Sequence, residues 1–196
     1  MDKKKFITDS LKESSETKLE MQKECQDDIL KVVDIITSSF RDGKKLLLCG
    51  NGGSAADCQH IATELVIRLS HDIKRPALPA IALTTDTSNL TAGGNDIGFE
   101  NVFARSVEGI GNSGDVLLAI STSGNSINVI KAVITAKSKG MKTVAFLGGT
   151  GGKLKSEVDK SVIIPSANTQ RIQEGHITAA HIICELVERE LYGEGD

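Results

Sequence analysis

Tryptophan is absent from this 196-residue chain, and five phenylalanines and one tyrosine are the only other large aromatics. So few rings exclude recognition of bases by stacking. An excess of positive charge is missing too: 23 Lys and Arg stand against 26 Asp and Glu, for a net charge of −3. Phosphate-backbone binding leaves a basic footprint, so nucleic acid is excluded as the main partner. The one basic run, at residues 3–5, reads as a solvated terminus. Paired CxxC motifs are lacking. Three of the four cysteines (Cys25, Cys49, Cys58 and Cys184) sit in apolar surroundings, which points to reduced core thiols in a cytoplasmic protein. No apolar run reaches membrane-spanning length, and the first residues, MDKKKFITDSLKESSE, have no apolar targeting core. A soluble, cytoplasmic chain with no membrane partner is expected.

What is present is one domain's worth of alternating apolar runs and helical stretches. Residues 3–41 carry Leu11, Leu19, Ile29, Val33, Ile36 and Phe40 near helical spacing, with Gly43 placed to end the helix. Either another subunit or the chain's own core can cover that apolar stripe. Short apolar runs at 45–49, 80–83, 116–120, 143–147 and 161–164 predict strands. Helices are expected near 54–70, 87–109, 126–139, 151–157 and 169–192. Strands without polar alternation, separated by helices, indicate a parallel sheet covered on both faces. Sites in such sheets lie at the carboxyl ends of the strands, where this chain concentrates Gly, Ser, Thr and Asn.

The stretch at 50–65, GNGGSAADCQHIATEL, follows the first strand. A Gly-rich turn opening a helix presents free backbone N–H groups to an anion. His60 and Glu64, at i and i+4, then share one helix face. The match to G-x-G-x-x-A does not imply a dinucleotide: the second strand ends near Asp86, too late for the ribose carboxylate, and Asp72 lies in a charged loop. A tight strand–helix turn with Ser54 as N-cap would explain the same glycines. After the third strand comes STSGNS at 121–126. A helix cap needs one hydroxyl, and the surplus of Ser121, Thr122, Ser123 and Ser126 favours ligand binding. GGTGGK at 148–153 fails the Walker spacing and reads as a flexible connection. A loop at 93–96 offers Asn95 and Asp96 to a polyhydroxy substrate, or simply turns the chain.

The last helix holds Gln173, His176 and His181. His176 reads as packing. Gln173 and His181 are eight residues apart, about 12 Å along a straight helix, too far to share one metal. Either Gln173 precedes regular helix, or the two act from different subunits.

Together, GNGGSAADCQHIATEL, LPAIALTTDTSNLTAGGND, GDVLLAISTSGNSINVIKA, GMKTVAFLGG and RIQEGHITAAHIICELVE resemble the bacterial phosphoheptose isomerases of the SIS (sugar isomerase) superfamily. The resemblance spans nearly the whole chain, in order. It implies a single SIS domain: a flavodoxin-like, three-layer α/β sandwich with five parallel strands over residues 44–196, after a helical oligomerisation segment at 1–43. It implies a homotetramer with active sites at subunit interfaces, one zinc per subunit, and conversion of sedoheptulose 7-phosphate to D-glycero-D-manno-heptose 7-phosphate. That step opens synthesis of the heptose of lipopolysaccharide or related glycans. By position, Asn51, Gly52, Gly53, Glu64, Asn95, Asp96 and Gln173 would contact substrate, and Ser121, Thr122, Ser123 and Ser126 would hold its phosphate. His60, Glu64, Gln173 and His181 match the family's zinc ligands, and Glu64 and His181 its acid–base pair. Cys58, Ile61 and Thr63 depart from the usual Ala, Phe and Ala, and Gln170 stands where some members have Asp. Non-catalytic SIS relatives that bind a replication initiator keep the Ser/Thr loop but are not expected to carry the His/Glu constellation. An isomerase for another sugar phosphate is the nearer alternative.

Overall fold

Branched and aliphatic side chains leave the three inner strands little choice but burial on both faces. The computed structural model describes residues 1–193. Its strands are β1 (Leu46–Gly50), β2 (Ala80–Ala82), β3 (Val116–Ser121), β4 (Lys142–Gly148) and β5 (Lys160–Ile164). All pair in parallel, in the order β2-β1-β3-β4-β5. The order reverses between β1 and β3, which places a crevice for ligands outside the carboxyl ends of those two strands.

Alternate residues of each strand feed two separate cores. Leu46, Leu48, Val116, Leu118, Ile120, Val144 and Phe146 face one layer, formed by α2 (Gln26–Arg41), α3 (Gly53–Val66) and α8 (Thr169–Tyr192). Leu47, Cys49, Leu117, Ala119, Ala145 and Leu147 face the other, formed by α5 (Val102–Ile110) and α6 (Ile127–Ser138). Burying one such side chain contributes about 1.5–3 kcal/mol, so each layer is fixed to its own face.

The 3–41 helix is two helices, α1 (Lys3–Glu24) and α2, joined at Cys25, whose thiol contacts the Ile163 carbonyl oxygen at 3.4 Å. Gly43 terminates α2 as expected, at φ +68° with its N–H on the Phe40 carbonyl. The chain's own core covers α2 through Ile29, Val32, Val33 and Ile36. Along α1, by contrast, Phe6, Ile7, Leu11 and Leu19 are 54–67% exposed. The helix expected over 87–109 is also interrupted. Gly98, at φ +83°, separates α4 (Thr87–Asp96) from a 3₁₀ turn (Phe99–Asn101) and α5. Near 151–157 only one turn is helical, α7 (Leu154–Glu157), because Gly151 and Gly152 hold positive φ. All four cysteines are free and buried, and burial pushes the Cys49 and Cys184 thiols up to about 12.

His176 is fully buried against Phe146, with Nε2 3.0 Å from the Leu147 carbonyl oxygen and Nδ1 without a partner. Burial lowers its pKa to about 4, despite the opposing Leu147 hydrogen bond. The unfolded chain takes up this proton near pH 6.5 and the folded chain only near 4, so the unfolded state holds more protons between those values. Stability therefore falls as pH falls through that window, by roughly 3 kcal/mol for a shift of this size. Denaturant midpoints measured from pH 7 to 4 are expected to decline less steeply in His176→Gln, which keeps a donor for Leu147 but cannot titrate. Equal slopes would show that His176 does not control this limb.

Candidate active site

The crevice between β1 and β3 is built by glycines. A side chain on Gly50 would place its Cβ 2.9 Å from the Ser54 carbonyl oxygen and 3.1 Å from that of Ile120. Gly52, at φ +54°, is the N-cap of α3; Ser54, the cap in the alternative reading, is the second residue of the helix and is buried. Asn51 and Asn128 exchange amide hydrogen bonds of 2.9 and 2.8 Å across the crevice. Asn128 Oδ1, in the first turn of α6, also accepts from the Val129 N–H at 3.0 Å. No sequence pattern marks Asn128, because an asparagine in a first helical turn reads as an ordinary cap.

Along α3, His60 and Glu64 project from one face as their spacing dictates, with His60 Nε2 3.1 Å from Glu64 Oε1. His181 of α8 meets them: its Nε2 lies 2.9 Å from His60 Nε2. Two imidazole nitrogens and a carboxylate oxygen thus converge within 4.8 Å of one another. This N, N, O donor set suits zinc, which takes such ligands at about 2.0–2.2 Å. With Glu64's side chain 19% and His60's 45% exposed, the cluster opens to solvent on one side. Asp57 lies one turn before His60, with Oδ2 buried and unpartnered. Burial pushes its carboxyl above the ordinary value, and the neighbouring His60 opposes the shift. The i, i+3, i+7 spacing of Asp57, His60 and Glu64 is the signal that would have found it.

Gln173 does not join this cluster within one chain. The last helix is regular from Thr169 onward, which removes the first of the two alternatives for Gln173 and His181. Its amide instead lies over the start of α3, where a Cβ on Gly53 would approach Gln173 Nε2 to 2.3 Å.

The 121–126 loop closes the crevice from the side of α6. Ser126 occupies the N-cap position of α6 but does not cap it with its side chain. Its Oγ pairs with that of Ser121 at 3.1 Å, and Ser123 Oγ accepts from the Asn125 N–H at 3.2 Å. The hydroxyls therefore cluster at the positive end of a helix dipole, where an anion is favoured. The 148–153 stretch, expected to be a bare connection, buttresses this loop. Gly124, at φ +64°, packs so closely that a Cβ would fall 2.0 Å from the Gly151 carbonyl oxygen. The Lys153 and Leu154 N–H groups donate to Asn125 Oδ1 and the Gly124 carbonyl.

Asn95 and Asp96 lie elsewhere. They end α4 as helix, not loop, and Asn95 Nδ2 donates to Asp96 Oδ1 at 2.7 Å. Asp96 lines a groove of about 740 Å³ with Asp86, Asn89 and Arg105, beside the exposed edge of β2. None of the other candidate residues borders this groove. Gln170 is exposed in the first turn of α8.

With this geometry in place, residues 11–148 match the SIS domain family. The chain is 49% identical over 194 residues to the phosphoheptose isomerase of Sulfurimonas denitrificans, covering 98% of each chain. It is 50% identical over 193 residues to that of Clostridium acetobutylicum, covering 97% of each. The solved phosphoheptose isomerase of Francisella tularensis superposes with a TM-score of 0.92 at 36% identity, over 96% of this chain and 100% of that one. Sequence and architecture agree from end to end, and the chain belongs to the phosphoheptose isomerases of the SIS domain family.

Proposed function

We propose that this isomerase converts sedoheptulose 7-phosphate to D-glycero-D-manno-heptose 7-phosphate through an enediol, in the cytoplasm, supplying heptose for a surface glycan. The observation that carries the reading is the meeting of His60, Glu64 and His181 where α3 packs against α8. Moving a carbonyl between C1 and C2 needs a proton taken from one carbon and returned to its neighbour. Glu64 is the base for that transfer, and His181 relays the proton between the two oxygens. Ser121, Thr122, Ser123 and Ser126 hold the phosphate, whose remote binding energy positions the reacting end. Asn51, Gly52 and Gly53 shape the sugar site with Gln173, and Asn95 and Asp96 contribute from a second subunit.

His60, Glu64 and His181 would hold one zinc ion, with Gln173 of the partner subunit as a further ligand. When bound, zinc supplies electrophilic polarisation of the substrate oxygen. Glu64 would then serve two demands, ligation and proton abstraction. A homotetramer fits the exposed Phe6, Ile7, Leu11 and Leu19 on α1 and the apolar groove beside them, lined by Met21, Ile29, Leu30 and Ile182. Free buried thiols agree with a reducing compartment, and among the described residues no helix is long and apolar enough to cross a membrane.

Purified protein assayed on sugar 7-, 6- and 5-phosphates, with metal analysis, tests the reading. Preference for a 5- or 6-phosphate would replace the substrate, and binding without turnover would make the chain a sugar-phosphate sensor. Glu64→Gln is expected to keep the thermal midpoint while kcat falls at least about 100-fold; near-normal turnover would remove Glu64 from the chemistry. Ser126→Ala should raise KM roughly tenfold with little change in kcat, the effect of losing one hydrogen bond to a charged phosphate. A kcat loss without a KM change would place Ser126 at the reacting carbons instead.

A further inference from the structure

Beyond the reacting groups, α3 and α8 meet a third time. The segment between α3 and β2 carries Arg75, whose side chain is 1% exposed, as is that of Glu188 on α8. Arg75 Nε and Nη2 both donate to Glu188 Oε1, at 2.8 and 2.6 Å. Nη2 also donates to the backbone carbonyl of Glu64, at 2.8 Å. That carbonyl belongs to the last turn of α3, where helix carbonyls lack intrahelical partners and a cation is favoured. Glu188 is otherwise filled by the Leu69 N–H on Oε1 and the Ser70 N–H on Oε2, each at 3.0 Å. Burial alone would raise its carboxyl, but these bonds outweigh it and hold the group below its ordinary value.

One guanidinium thus ties the residue that would act as base to the helix that carries His181. Glu188 stands seven residues beyond His181, two turns along the same face of α8. Replacing a buried ion pair by apolar groups is often neutral for stability, so holding the fold together is a weak reason for this arrangement. Geometry is a stronger one. Arginine's planar fork fixes direction as well as distance, and here, from the segment between α3 and β2, it spans two helices.

We propose that Arg75 and Glu188 are positioning residues for the isomerisation, setting the separation of α3 and α8 at which Glu64 and His181 address the same substrate carbons. The proposal rests on the reading of Glu64 and His181 as the acid–base pair. Neither Arg75 nor Glu188 touches substrate. Their effect runs through the Glu64 backbone and the seating of α8.

The test uses full-length Arg75→Lys, which keeps the charge but loses the fork, and Glu188→Asp, which shortens the arm by one methylene. Each is compared with wild type in thermal unfolding, in sedoheptulose 7-phosphate kinetics, and in Zn²⁺ titration of metal-free protein. Both are expected to fold, with kcat lowered about 10- to 100-fold and KM within about threefold, because displacement near 1 Å costs rate on that order. The Zn²⁺ Kd should rise about tenfold, the usual effect of disturbing groups behind the ligands. Variants that fold and keep kcat and Zn²⁺ affinity within twofold of wild type overturn the proposal. So does a parallel loss in kcat and rise in KM, which general loosening would produce, or failure of both variants to fold. A wild type that binds Zn²⁺ without turning over the sugar sinks the functional reading instead, and the Zn²⁺ titration then decides the role of the pair.

Discussion

Close packing of α3 against α8 is the constraint on which the rest of the molecule depends. Both helices bury their apolar sides on the same sheet face, through Cys58, Ile61 and Leu65 on one and Ile172, Ala179, Ile183 and Val187 on the other. They run side by side in the same direction, and the pairs along them keep step. Gly53 lies under Gln173, His60 against His181, and the chain just past α3 against Glu188. A parallel sheet makes this possible, since every helix that returns over one face starts from the same edge. The absence of a side chain at Gly53 lets the first pair approach. The cluster of two imidazoles and a carboxylate is therefore a consequence of helix packing, and its geometry is only as good as the register of those helices.

Much of this was legible in the sequence because the signals were local or periodic. Five apolar runs, the helix face shared by His60 and Glu64, and the termination of α2 at Gly43 each follow from spacing alone. The surplus of hydroxyls at 121–126 was legible for the same reason. The misread parts have a common physical cause, a glycine or polar residue whose partner is distant in the chain. Gly98 breaks a helical pattern that hydrophobic spacing would continue. Gly124 and Gly151 look like slack until their backbones are seen in contact. Ser54 reads as a cap, although Gly52 with its positive φ fills that place and the serine is buried.

Long-range polar pairs were the least legible of all. Asn51 meets Asn128 across 77 positions, and Arg75 meets Glu188 across 113. Neither pair follows from composition or periodicity, since single asparagines and charges are commonplace on helices and loops. What distinguishes them is burial with full hydrogen bonding, a property of the folded chain alone. In a low-dielectric interior such pairs are stronger when satisfied and costly when broken. They therefore specify one arrangement of their elements where apolar contacts would tolerate several.

The two faces of the sheet carry different chemistry. Neutral hydroxyls and a helix N-terminus lie on the α6 side, fixed by Gly124 against the 148–153 stretch, and suit a constant anion. Titratable groups lie on the α3–α8 side, fixed by the packing of two long helices. The strands between them are buried throughout β1 and β3, so the placement of the two groups within one chain is set by the sheet and not by a loop. The Asn51–Asn128 pair joins the sides where the strand order reverses.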